Sequence, residues 1–119
     1  MTSAEIEVLA RESLIEYEER LKSKVKDIKP YDPGRSENVK CKVPGNFKRV
    51  SAEVLKAGIE QVLDSLAEKS SFTMSEPGEL PPHKPLTADY NQLRITFFEV
   101  VDPGSGKAHI WIFCWYYSD

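Results

Sequence analysis

The last third of the chain reads LRITFFEVV over Leu93–Val101, DPGSGK over Asp102–Lys107 and AHIWIFCWYY over Ala108–Tyr117. Two β-branched and aromatic runs flank a turn rich in glycine. The pattern predicts an antiparallel β-hairpin. Alternation sorts the second run into two faces. Ala108, Ile110, Ile112, Cys114 and Tyr116 share one, and His109, Trp111, Phe113, Trp115 and Tyr117 share the other. The first run divides the same way. Leu93, Ile95, Phe97 and Val101 form one set, interrupted by Glu99, and Gln92, Arg94, Thr96, Phe98 and Val100 form the other.

Register follows if the aliphatic faces must coincide, because a one-residue slip would mix them. Val101 then pairs with Ala108, Phe97 with Ile112 and Ile95 with Cys114. On the second face Phe98 meets Trp111, Thr96 meets Phe113 and Arg94 meets Trp115, where a cation–π contact is expected. The aliphatic face is the natural seat for helices.

Two helical patterns precede the hairpin. Ile6, Ala10, Leu14, Tyr17, Leu21, Val25 and Ile28 recur every three or four residues, predicting an amphipathic helix over 3–28 with a capping box from Thr2 to Glu5. Pro30 is its expected stop. A second helix is predicted over 52–68, with Ser51 as N-cap and Leu55, Ile59, Val62, Leu63 and Leu66 as its buried stripe. Gly58 inside it weakens the helix by about 1 kcal/mol relative to alanine, so it marks a close approach to a neighbouring element.

The connecting segments are less regular. Val39, Cys41 and Val43 alternate with Lys40 and Lys42, which predicts a short edge strand with one basic face. A further short strand is expected within 71–75. Residues 76–91, EPGELPPHKPLTADYN, read as a long proline-rich loop and candidate lid over the aromatic face, anchored by Leu86 and Tyr90. The expected fold class is α+β: two helices packed on one face of a small, mainly antiparallel sheet that ends in the hairpin. Residues 1–119 are expected to form one domain.

Composition narrows the function classes. Of 119 residues, 40% are hydrophobic and 29% charged, a globular balance, and the net charge of −3 opposes nucleic-acid binding by the surface as a whole. No apolar run reaches the ~20 residues of a membrane span, and the acidic start lacks a secretory pattern, so a cytoplasmic location is expected. The two cysteines, Cys41 and Cys114, read as reduced core residues.

No motif commits the chain to a chemistry, and no cofactor is implied. His83 and His109 lack HxH or CxxC company, so no metal site is expected. His109 and Cys114 lie on opposite strand faces ~16 Å apart, too far for a nucleophile–base pair. Glu99 or Asp102 beside His109 reads as a polar strand end rather than an acid–base pair. The turn lacks the GxxxxGK[ST] spacing of a P-loop.

Three functional readings remain. The first is a non-catalytic protein–protein interaction module of adaptor, inhibitor or immunity type, gripping a protein partner or a second copy of the chain. Its candidate binding residues are Arg94, Phe98, His109, Trp111, Phe113, Trp115 and Tyr117 on the hairpin, with His83 and Tyr90 in the loop. The second is a small-ligand pocket protein or small enzyme of cone-shaped α+β type, with Arg94, His109, Glu99 and Tyr90 as polar groups. The third is nucleic-acid binding through residues 29–49, where six basic residues face two acidic ones. It ranks last because aromatic residues are sparse within that segment.

Overall fold

The computed structural model describes residues 1–35, 37–75 and 85–117. The elements run α1 (Ser3–Lys24), β1 (Asp27–Lys29), β2 (Val39–Pro44), α2 (Ala52–Ala67), β3 (Ser71–Thr73), β4 (Leu86–Tyr90), β5 (Leu93–Val101) and β6 (Ala108–Tyr116). Four strands make an antiparallel sheet in the order β2-β6-β5-β4, and β1 and β3 form a separate parallel pair. Both helices lie on one face of the large sheet, so the fold is α+β.

Local chemistry sets the helix ends. The Thr2 hydroxyl accepts from the Glu5 N–H at 3.2 Å, and the Glu5 carboxylate accepts from the Thr2 N–H at 2.9 Å. Ser51 caps α2 through the Val54 N–H. The predicted span 3–28 overruns α1. Val25 is already extended, at φ −94° and ψ 96°. The Ser70 carbonyl accepts from the N–H groups of Lys26 and Asp27, and Asp27–Lys29 then pairs with Ser71–Thr73. Pro30 also disfavours a helical Lys29. The apolar spacing runs on because Val25 and Ile28 still face the core, now from an extended chain.

The hairpin register is the expected one at all six predicted pairs, from Val101 with Ala108 to Arg94 with Trp115. β2 is an edge strand on β6, with Cys41 opposite Ile112. The loop expected over 76–91 is shorter than that, because its last part is β4, paired with β5 across the turn Asn91–Gln92. Asn91 supplies the positive φ of 55° for this turn. Without glycine there, the turn signature was hidden. His83 lies outside the described residues, as do Pro77, Pro81 and Pro82.

The core lies between helices and sheet. Ile6, Leu14, Leu55, Ile59, Leu63, Ile95, Phe97 and Ile112 are fully buried there. Each such side chain contributes roughly 1.5–3 kcal/mol by leaving water. Gly58 sits where α2 crosses the sheet, and an added Cβ would fall 2.6 Å from Val43 Cγ1 and 2.9 Å from Ile112 Cδ1. Cys41 Sγ donates to the Gly58 carbonyl across the same contact at 3.2 Å.

Candidate functional site

With both helices on one side, the other side of the sheet carries the outward residues of all four strands. Cross-strand pairing arranges them in rows. Lys42, Trp111 and Phe98 form one row, Lys40, Phe113, Thr96 and Thr87 the next, and Trp115, Arg94 and Asp89 a third. Pro44, His109 and Val100 close the turn end. The rings of Phe98, Trp111, Phe113, Trp115 and Tyr117 are all half-buried, and among the described residues no helix lies on their side of the sheet.

The rings hold one another edge to face, as their quadrupoles favour. Phe98 and Phe113 lie 5.4 Å apart at 88°, and His109 and Trp111 6.0 Å apart at 80°. Lys40 Nζ and Lys42 Nζ stand 5.7 and 5.8 Å from the Trp111 ring centre. Phe98, Trp111, Phe113 and Val100 border a shallow cleft of about 240 Å³ on this side. Beneath the rings Thr96 is fully buried and lies 3.4 Å, oxygen to oxygen, from Thr87.

Arg94 is fixed by charge. Its Nε and Nη2 donate to the two Asp89 oxygens at 2.7 and 3.0 Å. The paired carboxylate holds the guanidinium proton even more firmly than usual. Its plane covers Tyr117 at 4.6 Å, so the cation–π contact expected with Trp115 forms with Tyr117 instead. Asp89 reaches Arg94 because both point outward at one paired position.

The predicted site residues thus divide. Arg94, Phe98, His109, Trp111, Phe113, Trp115 and Tyr117 share the helix-free face. Tyr90 does not: it points to the helix side and donates to Glu18 Oε2 at 2.9 Å. Leu86 follows it there by parity, so neither anchors a cover over the aromatic rings. Arg94, His109, Glu99 and Tyr90 do not converge on one pocket, since Glu99 and Tyr90 face the helices and Arg94 and His109 face away. Glu99 is engaged, accepting from the Phe47 N–H at 3.0 Å.

Lys40 and Lys42 also belong to this face. Their parity against Val39, Cys41 and Val43 placed them on a basic face. Which strand β2 joins decides that this basic face continues the aromatic one.

The thiols lie on the helix side, and burial pushes Cys114 up to about 12. Asp102 serves the hairpin turn, its carboxyl held below the usual range by the Gly104 N–H. Among the described residues no three His, Cys, Asp or Glu side chains gather as metal ligands. No helix there is long and apolar enough to cross a membrane. Comparison with protein-family models, curated proteins and solved structures finds no match.

Proposed function

We propose that the protein is a non-catalytic protein-interaction module whose working surface is the helix-free face of its sheet. One observation carries this reading: a continuous, half-open set of aromatic rings with two exposed lysines standing beside Trp111. Trp, Tyr and Arg anchors supply most of the binding energy at protein interfaces, and large apolar patches on soluble proteins mark such sites. Asp89 is neutralised by Arg94, whereas Lys40 and Lys42 meet no carboxylate among the described residues. The unbalanced charge is positive, so the partner surface is acidic.

The test uses Trp111→Ala and a Lys40→Glu/Lys42→Glu double variant, each checked for native circular dichroism. A partner captured from the native source by the wild-type protein should be lost at least tenfold by both variants. Retention by both, or tryptophans closed to acrylamide in the free protein, would overturn the reading.

The lysines beside Trp111 also favour a second reading, single-stranded nucleic acid stacked on the sheet. The net charge of −3 weighs against it. Binding of a labelled oligothymidylate that weakens steeply with salt and disappears in Trp111→Ala would replace the protein partner with this one.

A further inference from the structure

A second site lies on the opposite side of the molecule, where the end of α1 meets β1 and the β4–β5 turn. It is an open cleft of about 360 Å³, the small end of the range for ligand pockets. Its walls are apolar: Leu21 and Val25 from α1 and its cap, Ile28 from β1, and Leu93 from β5.

Tyr116 lies against this cleft from the last strand. Its side chain is only 7% exposed, and its ring packs edge-on against Phe72 at 5.3 Å. Every buried side-chain nitrogen and oxygen among the described residues has a hydrogen-bond partner. The Tyr116 hydroxyl has none there, so it is not sealed in the core, and Tyr116 is among the residues that line the cleft. Burial pushes this phenol up to about 12, so at neutral pH it is an uncharged donor.

The rim is preorganised. Glu18 accepts from Tyr90 at 2.9 Å and from Asn91 at 2.7 Å, and it pairs with Lys22 at 2.9 Å. The donors, Lys22 foremost, hold its carboxyl below the usual range and engage both of its oxygens. The turn behind it is tied down by the Tyr117 N–H, which donates to Gln92 O at 2.9 Å, and by the Tyr117 hydroxyl, which donates to Asn91 O at 3.3 Å. Lys26, on the same rim, has no carboxylate partner among the described residues. Glu18 cancels Lys22, and the charge of Lys26 remains.

We propose that this cleft binds a small apolar monoanion, an aryl or short-chain alkyl carboxylate. Its hydrocarbon body lies on Leu21, Val25, Ile28 and Leu93. The Tyr116 hydroxyl donates to one of its oxygens, and Lys26 balances its charge. This site is independent of the helix-free face, and neither proposal depends on the other.

The experiment is titration of the full chain with 2-naphthoate and with the uncharged 2-naphthalenemethanol, followed by ¹⁵N NMR and calorimetry. Tyr116→Phe keeps the ring and removes only the hydroxyl. Lys26→Gln changes an exposed side chain. Both should leave the spectrum of the free protein dispersed as in wild type. Naphthoate should shift the amides of Ile28, Asn91 and Tyr116. Lys26→Gln should weaken naphthoate about fivefold or more and leave the alcohol unchanged, whereas Tyr116→Phe should weaken both about threefold or more. Absence of saturable shifts at millimolar naphthoate would overturn the proposal. So would shifts confined to the amides around Trp111, or wild-type affinity in both variants.

Discussion

At residue scale, Gly58 shows how one missing side chain sets the distance between layers. Alanine would favour α2 by about 1 kcal/mol through helix propensity. Its methyl, however, would sit 2.6 Å from Val43 Cγ1, on a β-branched side chain with little freedom to turn away. Overpacking of this kind costs roughly 1–3 kcal/mol. Gly58→Ala is therefore expected to be less stable by about 1 kcal/mol, read from urea unfolding. Stabilisation would mean that the close approach does not limit the packing. Tyr116 gives a pH prediction of fixed sign. Its folded phenol titrates at about 12 against an ordinary 10, so the unfolded chain ionises first. Stability is full below 10 on this account and falls as pH rises from 10 towards 12. Cys114, pushed from 9 to about 12 by burial, adds a decline that begins near 9. Urea midpoints should hold from pH 8 to about 9 and fall from there to pH 11, and Tyr116→Phe should flatten the part above 10.

At the scale of elements, the pairs differ in how much holds them. β5 and β6 pair over nine positions with strands on both sides, whereas β1 and β3 share three. Amides of Ile95, Phe97 and Ile112 should therefore be protected from exchange by roughly two orders of magnitude more than those of Ile28 and Phe72. Equal protection would make the small parallel pair part of the same cooperative unit. The same contrast governs what was legible in advance. The hairpin register could be read because both runs sort by parity into a mainly aliphatic and a mainly aromatic face, Glu99 apart, and a glycine-bearing turn separates them. β4 could not, since Pro85 precedes it and its turn relies on Asn91 rather than glycine. The end of α1 was hidden for another reason: Val25 and Ile28 satisfy helical spacing and core burial at once, and only pairing with β3 tells the two apart.

At the scale of the whole molecule, the shortest dimension, 22 Å, is that of one sheet layer and one helix layer. A two-layer fold leaves the second side of its sheet to water or to a partner. The two thiols sit between the layers. Cys114 pairs with Val39 rather than with Cys41, so the two cysteines are diagonal neighbours. Such Cα atoms are about 7–8 Å apart, beyond the ordinary reach of a disulfide. Neither thiol should react with Ellman's reagent in the native protein, and both should react in urea; rapid native reaction of either would show a looser core. By itself the sequence determined the two helices, the hairpin and its register, and the sorting of the last strand into aliphatic and aromatic faces, because these depend on periodicity and neighbouring residues. Only the tertiary structure decided that Lys40 and Lys42 join the aromatic face, that Tyr90 turns to Glu18, and that Tyr116 lines a cleft beside α1. Those facts depend on which strand lies beside which, and pairing between residues distant along the chain leaves no local pattern to read.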